Sequence, residues 1–346
     1  MSTADASQRF EQLRAWVAAR HGRDALSLEL AAGDASFRRY YRLRLGGVAP
    51  RMLMDAPPPQ EDTRPFTAIA RDWREVGLPV PLLHAVDPDA GFIELEDLGD
   101  APLHLALGPA DEPATLAHFE QALALIDDLQ WRADPSHLPP YDETTLAREL
   151  DLFADWCLGA WLDMTPPAEW AALRRELIDT ALDQRVVAVH RDYDAMNLMQ
   201  HDARLYLIDF QDALAGPISY DLISLIHGRY CRFSAAQRAT WIADFWRRAR
   251  ADGRLGSSPS LETFSQQVNA MAAQRALKVL GIFCRLTLRD ERSGYLERLP
   301  HFLAHLHDAL DGIPGHESFK AWLSTTLEPA LMAKVSGTTT PAGEAS

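Results

Sequence analysis

Within residues 190–212, HRDYDAMNLMQHDARLYLIDFQD, three oxygen-bearing side chains stand at spacings that suit one kind of chemistry: Asp192, Asn197 and Asp209. Asp192 follows the β-branched run Val186–Val189, which predicts a short buried strand, so its carboxylate comes where the chain leaves a sheet. Asn197 opens the run Asn-Leu-Met-Gln, and after the turn signal His201-Asp202 a further run, Leu205–Ile208, leads to Asp209. The pattern predicts a hairpin that brings Asn197 and Asp209 together. Phosphoryl transfer from a nucleotide needs such a set: a carboxylate to orient the attacking hydroxyl, and oxygen ligands to hold magnesium on the phosphates. Each residue alone has an ordinary use, Asp192 as a turn or cap aspartate and the other two as hairpin residues. The joint register, a strand before and a strand between, favours chemistry.

HRDYDAMN followed by LIDFQDALAGPISYDL resembles the Brenner-type signature of the aminoglycoside phosphotransferase and choline kinase superfamily. GDASFRRYYRL, LMDAPPPQEDTRPF, FIELEDLGD and QRALKVLGIFCRL are similar to one branch of it, the anomeric kinases for N-acetylmuramate and N-acetylglucosamine in cell-wall recycling. The similarity runs from about Gly33 to Tyr295. The resemblance implies an α+β class, bilobal protein-kinase-like fold. Its small antiparallel β-sheet N-lobe, residues 1–98, would bind the nucleotide, and its larger, mostly helical C-lobe, residues 99–335, would carry the catalytic loop and substrate site. It also implies ATP and Mg2+ as cofactors, Asp192 as the catalytic residue, and Asn197 and Asp209 as metal ligands.

Composition bounds the alternatives. The 346 residues are 47% hydrophobic and 24% charged, which is ample for a core in one large domain or two lobes. No apolar run is long enough to span a membrane, and MSTADASQRFEQLR lacks the apolar centre of a signal peptide, so a cytoplasmic protein without membrane association is expected. A formal net charge of -15 argues against a nucleic-acid partner and requires any nucleotide site to be made locally positive. Cys157, Cys231 and Cys284 are far apart and read as buried small hydrophobes. Twelve dispersed histidines without zinc spacing disfavour a zinc enzyme.

Taken in order, helical spacing predicts a packing helix over Ser7–Arg20, and alternation predicts strands around Leu26–Leu30, Phe37–Leu45 and Arg51–Met54. By position in the resembled family, Ser36, Arg38 and Arg39 take the place of the loop that folds over the nucleotide phosphates; a plain hairpin with solvated arginines is the rival reading. RMLMD carries no lysine where most relatives pair one with the phosphates, and Met54 or Asp55 stands there instead. Alternation puts Arg38 and Arg39 on opposite faces, with Arg39 beside the core-directed Phe37 and Tyr41; Arg38 is the preferred substitute. A helix over Arg64–Val76 and strands over Leu82–Val86 and Gly91–Leu95 follow. The stretch containing Glu94 and Glu96 resembles the hinge that contacts adenine, mainly through backbone groups.

Beyond it helices are expected over Asp111–Trp131, Glu143–Leu162, Pro167–Gln184, Tyr220–His227 and Ala235–Arg250, and SGTTTPAGEAS, covering 336–346, reads as a disordered tail. Asp221, before an apolar helix, reads either as a helix-start carboxylate or, as in kinase-like folds, as the residue that braces the catalytic loop together with His190. Asp194 and Asp212 are candidates for contacts with sugar or metal surroundings, or solvated loop carboxylates. Arg275, Lys278, Arg285 and Arg289 fall on one face of a helix expected over Met271–Asp290, as a solvated face or, for Arg275 and Lys278, a site for the lactyl carboxylate of a small-molecule sugar. The expected function is an ATP-dependent kinase for the anomeric hydroxyl of N-acetylmuramate or N-acetylglucosamine. Its rivals are a phosphotransferase for an aminoglycoside, choline or another amino alcohol, and a non-catalytic nucleotide-binding protein.

Overall fold

The computed structural model describes residues 3–22, 27–33 and 37–338. In chain order the elements are α1 (Thr3–His21), β1 (Ser27–Gly33), β2 (Arg39–Arg44), β3 (Arg51–Asp55), α2 (Arg64–Glu75), β4 (Leu83–Asp87), β5 (Phe92–Glu96), α3 (Pro113–Arg132), α4 (Glu143–Leu152), α5 (Trp170–Leu182), β6 (Val186–Val189), β7 (Leu198–His201), β8 (Arg204–Leu207), β9 (Leu214–Pro217), α6 (Tyr220–Ile226), α7 (Ala235–Ala251), α8 (Leu261–Leu288), α9 (Leu299–Asp311), α10 (Glu317–Trp322) and α11 (Glu328–Thr338). They fall into two compact units: Met1–Leu105 with Met196–Asp212, the sheet unit, and Ala106–Ala195 with Ala213–Ser346, the helical unit. The fold is α+β, as the family resemblance implies.

In the sheet unit five antiparallel strands run in the order β1-β2-β3-β5-β4. One face carries Tyr41, Leu43, Leu53 and Phe92, which bury against Leu13 and Val17 of α1; burying side chains of this size is worth about 1.5–3 kcal/mol each. The alternate residues Tyr40, Arg42, Met52 and Met54 lie on the other face, Tyr40 paired with Met54 and Arg42 with Met52. The amphipathic α2 buries Phe66, Ile69, Ala70 and Trp73. Within the same unit β7 and β8 form an antiparallel hairpin, Leu198 opposite Leu207, turning through Asp202 and Ala203 at positive φ.

In the helical unit β6 pairs with β9. Strand β9 lies where no strand is predicted from the sequence; a Cβ on Gly216 would meet the Tyr141 ring at 3.0 Å, a tight contact on this face. The expected helix over Glu143–Leu162 is α4 followed directly by a π-helical stretch, Phe153–Leu162. Helix α8 starts ten residues before the expected Met271, capped by Ser260 accepting from Thr263 N. Helix α11 reaches Thr338, three residues into the expected tail; residues 339–346 lie outside the described residues.

Candidate active site

The sheet unit positions the metal-ligand candidates through its hairpin. Ile208 N donates to Asn197 O at 3.1 Å, so the backbone pairing of β7 and β8 carries on to set the two ends of the hairpin side by side, with Asp209 next in the chain. Phe210 anchors that end: it is fully buried, stacked on Phe66 at 4.8 Å and tilted against Trp73 at 5.5 Å. The apolar face of α2 thereby fixes where Asp209 emerges. Asp209 itself has φ 62, uncommon for a residue with a side chain, and its Oδ1 accepts from Gln211 Nε2 at 2.8 Å. Asn197 is buried and Asp212 is exposed.

Arg38 reaches the same place. Its Nη1 lies 3.6 Å from Asp209 Oδ1 and its Nε donates to Glu61 at 3.0 Å, with only 13% of the side chain exposed. Glu61 also accepts from Phe37 N at 3.2 Å, which ties the segment before β2 to the loop before α2. The sequence offers no signal for Glu61 beyond an acid in a proline-rich loop. Arg39 begins β2 opposite Asp55, on the face that α1 covers. Asp55 is buried and paired with Arg9 of α1, while Met54 sits on the opposite face, so a cation facing the side of Arg38 comes from no residue of β3. Ser36 lies outside the described residues.

The hinge candidates have other partners. Glu94 is fully buried and accepts from Arg51, from His21 at 3.1 Å and from Arg20 at 3.2 Å. Burial raises its carboxyl, but His21 and Arg51 outweigh that and hold it below the usual carboxylate range. It shares a face with Leu53, away from Arg38. Glu96 accepts from Leu82 N at 3.0 Å. Residues the sequence did not single out, Arg42 with Asp97 and Asp100, form a linked ion cluster at 2.5 and 2.8 Å beside a cavity of about 660 Å³ within this unit.

In the helical unit Asp192 is exposed, and it acts electrostatically on Arg191, Arg229 and Lys278. Behind it the fully buried Asp221 accepts from the backbone of His190 at 2.7 Å and Arg191 at 3.1 Å. Burial raises the Asp221 carboxyl to about 7 even though these two bonds pull it down. The His190 ring is buried edge-on to Tyr193, whose hydroxyl donates to Ala122 O at 2.7 Å. Asp194 is buried and paired with Arg229 at 3.1 Å.

The basic residues predicted to share one face of this helix do not form one solvated stripe. Arg275 is buried with Nη1 3.5 Å from His227 O, and Lys278 is buried 2.9 Å from both Glu149 and the Tyr220 hydroxyl. Arg289 is exposed and paired with Asp290.

The donor set in the sheet unit suits a hard divalent ion. Asn197 and Asp209 offer oxygen ligands, and among the described residues no three His, Cys, Asp or Glu side chains are grouped to hold a metal by themselves. An ion there would be completed by phosphate oxygens and water, which is the habit of magnesium.

A five-stranded antiparallel sheet with one helix across it, a separate helical unit, and a His-Arg-Asp loop ahead of an Asn/Asp hairpin define the kinase-like phosphotransferases. Residues 27–256 match the phosphotransferase enzyme family, and the chain belongs to that family. It is 38% identical over 292 residues to the N-acetylmuramate/N-acetylglucosamine kinase of Pseudomonas putida, covering 83% of this chain and 85% of that one. The enzyme of the same name from Pseudomonas aeruginosa is 37% identical over 316 residues, covering 87% and 92%. Among solved structures, a choline/ethanolamine kinase family protein from Mesorhizobium loti shares the fold with a TM-score of 0.59 at 16% identity, over 94% of this chain and 99% of that one. Among the described residues no helix is long and apolar enough to cross a membrane.

Proposed function

We propose that the protein is an ATP-dependent kinase that phosphorylates the anomeric hydroxyl of N-acetylmuramate, N-acetylglucosamine or both, in the cytoplasm. The observation that carries the phosphotransfer reading is the convergence of Arg38 on Asp209 at the end of the hairpin that begins at Asn197. The identity to kinases named for these two sugars over most of the chain carries the substrate. Asp192 accepts the proton of the attacking hydroxyl and orients it. Asn197 and Asp209 would hold magnesium, which when bound would neutralise charge on the phosphates. Arg38 supplies the cation that the β3 lysine provides in most relatives, and Glu61 keeps its guanidinium in place. Asp221 holds the backbone from which Asp192 projects. The sheet unit thus serves the nucleotide and the helical unit the acceptor.

The test is ADP release with magnesium and ATP over a panel of sugars and amino alcohols, with the product position read by phosphorus NMR. Turnover on the two amino sugars with phosphate at the anomeric carbon is expected. Turnover confined to choline, ethanolamine or an aminoglycoside would replace the reading with the amino-alcohol one, and no turnover with retained ATP binding would make this a nucleotide-binding protein only.

A further inference from the structure

Arg191, immediately before Asp192, has φ 75, a left-handed conformation that side-chain-bearing residues seldom adopt. Something must hold it there. Its backbone N–H is held by Asp221, and its side chain is held by Glu149 of α4, whose Oε1 accepts from Arg191 Nη2 at 2.7 Å. Glu149 is 3% exposed and carries no solvent-facing task. Its Oε1 also lies 2.9 Å from Lys278 Nζ, and its Oε2 accepts from the Tyr141 hydroxyl and from Gln274 Nε2 at 3.2 Å. The carboxylate is therefore locked by four donors from α8, from the segment before α4 and from the loop that carries Asp192.

The charges point the same way. Arg191 and Lys278 bring two cations to one buried carboxylate, and buried charge that is left unbalanced is expensive. Asp192 acts electrostatically on both cations and completes a quartet of two positive and two negative groups. Lys278, which sequence spacing alone offers as a substrate ligand, is committed to this quartet.

We propose that Glu149, seconded by Lys278, is a positioning residue for the catalytic loop: it grips the side chain of Arg191 while Asp221 grips its backbone, and so fixes the left-handed turn from which Asp192 is presented. This rests on Asp192 being the residue that takes the hydroxyl proton. Neither Glu149 nor Lys278 touches substrate in this assignment; they act through Arg191.

The test combines kinetics with amide hydrogen exchange on the full chain. Glu149→Gln keeps the shape and removes the charge, and kcat is expected to fall about ten- to a hundredfold while KM for ATP and sugar changes less than about threefold. Exchange of the peptide spanning 187–194 should speed up while the α8 peptides keep their protection. Placing Arg191→Gly in the Glu149→Gln background should return most of kcat, because glycine takes positive φ freely and one surplus cation leaves with the arginine. A residue that only stabilised the core would lower the melting temperature of Glu149→Gln without this rescue. If Glu149→Gln fails to fold, Glu149→Asp keeps the buried charge but falls short of Arg191, and a several-fold loss in kcat at unchanged KM is expected. Parent-like kcat and exchange in the folded variant, or absence of rescue, overturns the positioning role. If the parent itself turns over no sugar and no amino alcohol, the functional reading fails separately, and the exchange measurement alone decides: unchanged protection at 187–194 overturns the role, and faster exchange supports it.

Discussion

Arg38 and Asp209 lie 171 residues apart in sequence, yet the Arg38 Nη1 is 3.6 Å from Asp209 Oδ1, with Glu61 holding the other edge of the guanidinium at 3.0 Å. A guanidinium placed beside the carboxylate proposed to hold magnesium is where a nucleotide phosphate would need a cation, and β3 supplies none there. Arg38→Ala should therefore weaken magnesium-ATP binding by about 1.5–3 kcal/mol, roughly tenfold to a hundredfold or somewhat more. Arg39→Ala, on the face covered by α1, should change it by less than about threefold. Calorimetric titration of both variants, with circular dichroism to check folding, decides between them; equal binding by the two and the parent would leave magnesium alone to meet the phosphate charge.

Asp192→Asn keeps the size of the side chain and removes its capacity to take a proton. Turnover should fall about 10²- to 10⁴-fold, with ATP binding retained, since the nucleotide contacts proposed here come from other residues. Single-turnover assays beside ATP titration check this, and turnover like the parent's would remove Asp192 from the mechanism.

How much of this was legible beforehand follows from what makes each feature. The hairpin from Asn197 to Asp209 rests on local turn chemistry and on short apolar runs, so its existence could be read directly, although its turn falls at Asp202-Ala203, one residue beyond the expected His201-Asp202. The faces of β2 could be read because Tyr41 and Leu43 alternate with Tyr40 and Arg42. Pairings over long sequence separations leave no such trace: Glu61 with Arg38, Glu149 with Arg191 and Lys278, and Asp194 with Arg229 are ordinary charged residues until the chain is folded. Strand β9 was hidden by Gly216 and Pro217, residues that mark turns locally but are tolerated here by a two-stranded pairing. The first turns of α8 were hidden by Ser265, Gln266, Gln267 and Asn269, which break the apolar periodicity although Gln267 is buried.

Two stacked histidines of the helical unit give the protein an acid limit. His227 and His305 are buried with ring centroids 4.6 Å apart, and burial, followed by the nearby Arg238, Arg275 and Arg232, lowers His227 to about 3. The His305 ring is also pushed down, by burial first and then by His227 and His301. A base whose folded value lies below its unfolded one binds its proton more tightly in the unfolded chain. Its contribution is complete above about pH 6.5 and is lost as pH falls from there toward 3. At pH 5 His227 alone should cost about 2 kcal/mol relative to pH 7.5. Urea unfolding of the parent and of His227→Phe at both pH values measures it: the variant should lose less on acidification by about that amount, and equal losses would show that His227 carries no such burden.

Gly281 sets how closely α8 crosses the end of α4. A Cβ at this position would lie 2.3 Å from both the carbonyl carbon and oxygen of Leu152 and 2.6 Å from Phe153 N, at the junction where α4 passes into the π-helical stretch. These are backbone atoms, so no side chain can swing aside, and the helices must separate to admit a methyl group. Alanine brings about 1 kcal/mol of intrinsic helix preference over glycine, whereas overpacking against fixed backbone costs about 1–3 kcal/mol or more. The two terms oppose, and the clash is the larger because both partners are helices buried along their length near the contact. Gly281→Ala should therefore lower the unfolding free energy by about 1–2 kcal/mol. The matched control is Gly337→Ala in α11, where nothing lies within 4 Å of the added Cβ and stability should stay the same or rise slightly. Denaturant unfolding of the two variants side by side gives the answer: if Gly281→Ala is as stable as Gly337→Ala, the close crossing of α8 over Leu152 does not constrain this fold.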